Sequence, residues 1–552
     1  MKIPSLLTAC LLTILCAAVS PAQEFDLILE NTRIVDGMGN PWYRGDIGIK
    51  GDRIAAVGNL HGRPGRRIAV NGKVVAPGFI DMMGATSIPL LLDPETAMSK
   101  LRQGITTMMA GEGHSDAPLI ERTMSVSLKQ SGYRWNSYAE YNKLLEKRGI
   151  GLNLVFNIGA AQVRQIVIGD QDRPPTPAEL ERMKQLVEQA MKDGANGVST
   201  ALIYPPGTYA KTDELVELCR VAGRYGGFYS THMRNESSQV LDAIRESIEI
   251  GEKAGVPVHI YHLKAAGQEN WPLMQKAVDM MAAARARGLD VSADTYPYIR
   301  NGLGLEALVN PRHFANGAAP FLKTLGDAKV RADLRREIET TSDWENWYRH
   351  VGSDWDNILV AEMRGSGDKK YEGKSIAEIA KLRNQDAWSA FFDLLAIGNV
   401  QVNPKSMNEE QKHLAMRTEF LSFCTDAAPV NPLKTSGTHP RAFGAFPRIL
   451  AKYVREDRAV SLEMAIRKMT SLPANRLKLY DRGRIAPGMA ADLVVFDPAT
   501  IQDHATFQKP MEYSTGMDYV IVNGKIAVEG ARGSSQAAGR VLRFGSGAGH
   551  RS

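Results

Sequence analysis

The feature that most constrains the fold is an alternation between short apolar runs and segments with helical periodicity, which dominates the middle of the chain. Segments such as "PAELERMKQLVEQAMKDG" and "SSQVLDAIRESIEIGEKAG" repeat apolar residues at helical spacing, and each is followed by a short β-rich run. This alternation is typical of repeated βα units around a parallel sheet. It predicts an α/β protein.

Eight of the apolar runs are candidate parallel strands. They lie at residues 74–82, 106–110, 152–158, 197–202, 227–231, 256–261, 289–293 and 420–424. Eight parallel strands with intervening helices predict a (β/α)₈ TIM barrel, here over residues 76–475. The segment at about 301–414 is rich in Arg, Asp and Trp and has no clear strand, so we predict an insertion that carries helices.

Both chain ends have a different texture from the middle. "FDLILENTRIVDG" and "GDIGIKGDRIAAVG" near the start, and "GRIAPGMAADLVVFDP" and "YVIVNGKIAVEG" near the end, alternate apolar and polar residues between turn residues. This pattern is typical of antiparallel strands. We predict that residues 23–75 and 476–545 form one small β-sandwich domain.

The N-terminus predicts export. Met1 and Lys2 precede the apolar run "SLLTACLLTILCAAV" and a small-x-small site that ends at Ala22. This is the organisation of a signal peptide, predicted here at residues 1–22, and the apolar run is too short to span a bilayer readily. A lipobox reading of "LTAC", ending at Cys10, is the alternative, but it falls before the apolar run ends. The expected location is therefore periplasmic or secreted, without membrane attachment after cleavage.

Composition excludes two other classes of protein. The formal net charge of +6 is spread without a Lys/Arg block or interleaved aromatic residues, so no nucleic-acid partner is expected. After removal of the signal peptide only Cys219 and Cys424 remain of four cysteines, too few for a disulfide framework. The sequence does not indicate an oligomeric state.

Residues that can bind a metal or transfer protons follow four of the predicted strands. They are Glu112 and His114 after the second strand, His232 after the fifth, His262 after the sixth and Asp426 after the eighth. Catalytic groups of barrels lie at these strand ends. A single histidine is commonly a packing residue, but two on adjacent strands with carboxylates nearby form a nitrogen and oxygen ligand set suited to Zn²⁺.

Nine stretches, distributed over most of the chain, are informative as a set. They are "APGFID", "GITT", "GVSTALIYPPGTYAKTDEL", "THMRNES", "HLKAAG", "DTYPY", "TDAAP", "GTHPRAFGAFPR" and "MTSLPANRLKLYDRGRIAPGMAADLVVFDP". In these stretches the chain resembles the amidohydrolase superfamily, and within it the N-acyl-D-amino-acid deacylases. Each is a weak pattern alone, but their order over the chain is specific. The resemblance implies a metal-dependent hydrolase that cleaves C–N bonds other than ordinary peptide bonds.

Three departures from the family pattern concern the metal centre. Where the family has x-His-x-His after "GFID", this chain has Met83 and Ala85. The metal-binding cysteine of the family has no counterpart, and Glu112 in "GEGH" is the nearest replacement. No lysine ends the fourth strand, where Ser199 and Thr200 stand, so a carbamylated bridging lysine has no host.

These departures from the family pattern predict one catalytic ion rather than two. Glu112, His232 and His262 would hold one Zn²⁺, or another divalent metal, and leave a fourth position open to water, as catalytic zinc sites do. Asp426 matches the catalytic aspartate of the family and would act as general base and then general acid. The alternatives are that Asp426 only caps a turn and that His114 replaces Glu112 as a ligand.

The substrate-binding residues of the family also have counterparts. Lys264, Tyr296 and Arg441 match the lysine, tyrosine and arginine that hold the substrate carboxylate. A small molecule with a free carboxylate beside the scissile amide is therefore implied. The alternative is that these residues are two surface charges and a core tyrosine.

The predicted function is hydrolysis of N-acyl-amino acids, of D configuration, or of related dipeptides, by water that the metal activates. A second possibility is the same site acting on an ester, a lactone or a cyclic amide. A third is a non-catalytic binding protein on a degenerate barrel, which the retention of His232, His262 and Asp426 disfavours.

Overall fold

A computed structural model describes residues 24–121, 124–314, 317–341, 343–363, 368–435, 437–533 and 537–545. The predicted signal peptide at residues 1–22 lies outside these ranges. Within them, no helix combines the length and the apolar character needed to cross a membrane.

Both ends of the chain join in one nine-stranded sheet, the β domain. Its strands are Glu24–Ile34, Tyr43–Lys50, Arg53–Gly58, Arg63–Ala69, Val74–Pro77, Leu493–Phe496, Met517–Val522, Lys525–Glu529 and Arg532–Gly533. The two ends meet where Val74–Pro77 pairs antiparallel with Leu493–Phe496. The sequence predicted a small β-sandwich from both chain ends. In the structure, main-chain hydrogen bonds connect the strands of both ends into one continuous sheet. Buried apolar residues from both ends, such as Ile34 and Ile521, share a core.

The middle of the chain supplies parallel strands in the predicted order. They are Phe79–Asp81, Ile105–Ala110, Asn153–Phe156 with its continuation Ile158–Gly159, Gly197–Ala201, Phe228–His232, Val258–Ile260, Val291–Thr295 and Leu421–Phe423. The first three form one parallel sheet, and the strands from Ile158–Gly159 onward form a second. The break between the two sheets lies at Asn157. Between the ends of the eighth and the first parallel strand, the Asp426 N–H donates to Met83 O at 2.9 Å.

The prediction of one strand at residues 74–82 was wrong. Val74–Pro77 belongs to the β domain, whereas Phe79–Asp81 begins the parallel strands. The chain changes partners at Gly78, where a Cβ atom would lie 2.1 Å from Thr106 Oγ1. A continuous apolar run contains no signal for such a change, because both segments are buried.

The prediction that residues 301–414 lack a strand was also wrong. This insertion contains a three-stranded antiparallel sheet of Leu303–Gly304, Ile358–Met363 and Val400–Pro404. It has an apolar core that includes Trp355 and Phe391, whose rings stack at 5.1 Å. The strands are separated by long helical stretches, so the sequence shows no repeated strand spacing.

Helices surround the parallel strands and fill the insertion. The α-helices are Ile88–Leu92, Met98–Leu101, Val126–Ser131, Tyr138–Arg148, Ala160–Val167, Pro177–Lys192, Thr212–Arg224, Val240–Ala254, Leu273–Ala286, Ala318–Thr324, Ala328–Thr340, Trp347–His350, Ile376–Leu382, Ala387–Ile397, Glu409–Arg417, Arg441–Arg448, Leu462–Met469 and Ser471–Arg476. Pro177–Lys192 begins with a capping box between Thr176 and Glu179, which satisfies the first free backbone N–H groups. Its buried Met183 and Val187, four residues apart, lie on the core face.

A fully buried lysine connects the first and eighth parallel strands. Lys100 Nζ donates to Asp81 Oδ2 at 2.9 Å, to Thr425 Oγ1 at 2.5 Å and to Ala427 O at 2.6 Å. We predict that Lys100→Met lowers the thermal unfolding midpoint markedly, because an unpaired buried charge costs about 3–5 kcal/mol. Lys184→Ala, which removes a surface ion pair, is the control and should change the midpoint little. Equal midpoints for the two variants would contradict a stabilising role of Lys100.

Candidate active site

Three potential ligands converge at the carboxyl ends of three of the parallel strands. Glu112 follows Ile105–Ala110, His232 ends its own strand and His262 follows Val258–Ile260. Glu112 Oε1 lies 2.9 Å from His232 Nδ1 and 3.1 Å from His262 Nε2. The imidazole rings are nearly perpendicular, with centroids 4.5 Å apart. Parallel strands produce this convergence because their carboxyl ends share one edge.

The three side chains fit a divalent cation. Each offers one ligand atom, and these atoms lie within 4.8 Å of one another. Burial and Lys264 lower the pKa of His262, but Glu236, Asp426 and Glu112 raise it to about 10. Burial raises the pKa of Glu112, yet hydrogen bonds from both histidines bring it below its ordinary value. The carboxylates around these three side chains therefore favour positive charge between them. One carboxylate with two imidazoles is also a ligand set that zinc uses.

Unusual backbone geometry positions two of the candidate residues. His262 has a φ of +34° and Asp426 a φ of +49°, in the left-handed region that non-glycine residues rarely adopt. His262 N donates to Asp294 Oδ1 at 2.6 Å, and Asp426 N donates to Met83 O at 2.9 Å. Such strain costs about 1–3 kcal/mol per residue and concentrates at functional sites.

Asp426, which is partly buried, forms an ion pair with the buried Arg441. Arg441 Nη1 lies 2.5 Å from Asp426 Oδ2, and burial raises the pKa of Asp426 although Arg441 and His262 oppose this. The guanidinium carbon of Arg441 lies 4.6 Å from the ring centroid of the buried Tyr296. Arg441 Nε makes no hydrogen bond within the described part of the chain. Asp426 and two of the predicted carboxylate-binding residues, Tyr296 and Arg441, are thus brought together.

Lys264, which was predicted to hold the substrate carboxylate, lies beside Glu236 and His262. Its Nζ donates to Glu236 Oε1 at 2.6 Å and lies 2.8 Å from His262 Nδ1. The side chain is 2% exposed. Its distance from the Tyr296 ring centroid is 6.0 Å. Lys264 therefore contacts His262 directly, and its ammonium is already paired with the carboxylate of Glu236.

Other residues considered from the sequence lie outside the ligand group. The His114 side chain is exposed, and the His114 and Glu112 backbones pair with each other. Met83 is buried, and Ala85 packs against the same apolar core, where the family pattern has histidines. Ser199 lies within the buried strand Gly197–Ala201. Apolar side chains therefore stand at the two positions where the family pattern has metal-binding histidines.

Sequence reasoning missed two carboxylates beside the site. Glu236 is 1% exposed and contacts His262, and its backbone N–H donates to Glu345 of the insertion. Burial raises the pKa of Glu345 to about 8. Glu236 stands four residues after His232 in "THMRNES", a signal that could have identified it. For Glu345 no sequence signal was available.

Two cavities border these residues. One of about 590 Å³ lies between the loops after the fourth and fifth strands and the insertion, with Tyr204, Trp344 and Glu345 in its wall. The Tyr204 ring meets the His232 ring edge-on at 5.6 Å. A second cavity, of about 240 Å³, reaches Asp426 and Arg441 from the other side. The first cavity therefore borders the candidate site at Tyr204 and Glu345, and the second borders it at Asp426 and Arg441.

Comparison with known proteins places this site in a family context. The model of the amidohydrolase family matches residues 67–528. D-aminoacylase of Alcaligenes xylosoxydans xylosoxydans is 33% identical over 534 residues, which cover 95% of this chain and 98% of that protein.

Solved structures agree over nearly the whole chain. A D-aminoacylase structure has a TM-score of 0.78 and 31% identity, and it covers 94% of this chain and 100% of its own. That enzyme has a binuclear metal centre with one-metal activation and second-metal attenuation. N-acyl-D-glutamate deacylase of Bordetella bronchiseptica, solved with zinc and a phosphonate mimic of the tetrahedral intermediate, has a TM-score of 0.78 and 28% identity over the same shares.

Proposed function

Because this chain belongs to the amidohydrolase family, we propose that it is an exported amidase that hydrolyses N-acyl-D-amino acids or related dipeptides. The observation that carries the proposal is the meeting of Glu112, His232 and His262 at the strand edge that also holds the Asp426–Arg441 pair. Export is supported by the N-terminal sequence.

We propose that the parallel strands close into a (β/α)₈ barrel. Their order along the two sheets supports this arrangement, as does the Asp426 N–H to Met83 O hydrogen bond between the last and first strand ends. Closure of the barrel would bring Glu112 and Asp426, which are far apart in the sequence, to the same end of the barrel.

Glu112, His232 and His262 would hold one divalent ion, with zinc the proposed metal. When bound, it would polarise the amide carbonyl and lower the pKa of the attacking water. The apolar Met83 and Ala85 support one ion per chain, in contrast to the binuclear centre of the solved D-aminoacylase.

Asp426 would accept the proton of the attacking water and then donate it to the leaving amine. Arg441 would hold the substrate carboxylate, because a guanidinium can donate two parallel hydrogen bonds to it. In the structure Arg441 pairs with Asp426. A bound substrate carboxylate would interact with the Arg441 guanidinium together with Asp426. The ring of Tyr296 would pack against this guanidinium.

A matched panel of N-acetyl-D- and N-acetyl-L-amino acids, assayed with zinc-loaded protein, tests the function. We expect turnover of D substrates and little of L substrates. Esters, lactones and cyclic amides belong in the same panel, since turnover of these alone would reject the amidase proposal. Zinc binding without turnover of any compound would reject catalysis.

The role of Arg441 gives a separate prediction. Arg441→Lys should lower kcat/KM for an N-acyl-D-amino acid about 10–100-fold, since a hydrogen bond to a charged group contributes about 1.5–3 kcal/mol. The corresponding methyl ester, which lacks the carboxylate, should lose much less. Arg448→Lys is the control, because Arg448 lies on the same helix but pairs with Asp503. Equal losses on acid and ester would contradict carboxylate binding by Arg441.

A further inference from the structure

Glu236 approaches the two histidines from the side opposite to Glu112. Its Oε1 lies 3.0 Å from His262 Nδ1. Its Oε2 lies 3.4 Å from His232 Nε2, which makes no hydrogen bond within the described part of the chain. Glu112 faces the other nitrogen of each ring, Nε2 of His262 and Nδ1 of His232. Each imidazole therefore lies between two carboxylates, of which Glu236 is almost fully buried.

This arrangement bears on where each ring carries its proton. A neutral imidazole has one N–H and one lone pair, and only the lone pair can bind a cation. A ring that donates its N–H to Glu236 presents its lone pair toward Glu112. His262 would then bind a cation through Nε2, the nitrogen that faces Glu112.

Lys264 offers a competing hydrogen bond. Its ammonium lies 2.8 Å from His262 Nδ1, close enough to donate to that nitrogen. If it did so, the ring proton would have to lie on Nε2, where it would block a cation. Glu236 Oε1 accepts from Lys264 at 2.6 Å and can therefore hold the ammonium while also accepting from His262 Nδ1.

We propose that Glu236 is a positioning residue that keeps the ring proton of His262 away from the metal centre and thereby sets the affinity of that centre for a divalent cation. The proposal rests on the metal site of the proposed function and adds a residue to which no role has been given. Carboxylates that orient metal-binding histidines typically change metal affinity about 10–100-fold when they are removed.

The test is the Zn²⁺ dissociation constant of metal-free protein, measured by competition with a chromogenic chelator. Glu236→Ala should weaken Zn²⁺ binding about 10–100-fold. Glu236→Gln should weaken it less, because the amide oxygen still accepts the ring N–H without the charge. Glu345→Gln is the matched control, since Glu345 contacts the Glu236 backbone and should leave the affinity nearly unchanged. The thermal midpoint of each metal-free variant verifies that it is folded.

Lys264→Met separates this role from simple loss of a buried ion pair. It removes the competing donor but leaves Glu236 to accept from His262, so Zn²⁺ affinity should be kept or increased. Equal weakening by Lys264→Met and Glu236→Ala would overturn the proposal, as would unchanged affinity in folded Glu236→Ala. Wild-type protein that binds no Zn²⁺ would instead refute the proposed metal site itself.

Discussion

Asp426→Asn is expected to lower kcat about 10²–10⁴-fold, the usual contribution of a general base. The asparagine amide cannot accept the proton of the attacking water at neutral pH. The fold should survive, because the backbone N–H of residue 426 would still donate to Met83 O. Zinc content should also survive, since the proposed ligands are Glu112, His232 and His262.

The experiment compares kcat, bound zinc and thermal midpoint in Asp426→Asn and in Asp503→Asn. Asp503 is a suitable control because it is also a partly buried aspartate paired with an arginine, Arg448, but lies outside the candidate site. A fall in kcat with normal zinc content supports the base. Loss of zinc would instead make Asp426 a ligand, and kcat within a factor of three of the wild type would place the base elsewhere.

The candidate ligands could be predicted because their location depends on which strand they follow, not on the exact residue at which that strand ends. The fifth strand was predicted at residues 227–231 and is Phe228–His232, yet His232 lies at its end in both descriptions. The same holds for His262 after Val258–Ile260. An error of one or two residues in a boundary leaves the strand's carboxyl end at the same edge of the sheet.

Side chains outside the strand ends could not be predicted in the same way. Glu236 lies in the loop before Val240–Ala254, and only the folded loop brings it back against His262. Glu345 reaches Glu236 from the insertion, whose strands pair across long separations in sequence. Lys264 matched the family motif, but sequence cannot show that its ammonium is already paired with a carboxylate.

The stretch after the first parallel strand supports the proposal of a single ion. Met83 is 2% exposed, and a Cβ atom on Gly84 would lie 2.1 Å from Met108 Cγ, so this region is densely filled. Ala85, which packs against the same apolar core, is the second position at which the family pattern has a histidine. Restoring both histidines, as Met83→His with Ala85→His, would therefore require displacement of buried apolar side chains.

We expect wild-type protein to bind about one zinc per chain and to be fully active with it, whereas His262→Ala should lose both zinc and turnover. His262 contributes one of only three proposed ligands, and its loss leaves the Glu112 carboxylate with a single imidazole partner. The Met83→His, Ala85→His protein should be no more active than wild type and should unfold at a lower temperature, because overpacking a core is destabilising. Metal analysis and turnover of all three proteins test this expectation. Full activity only at two zinc ions per chain, or turnover that appears only in the double-histidine variant, would show that the missing histidines were essential.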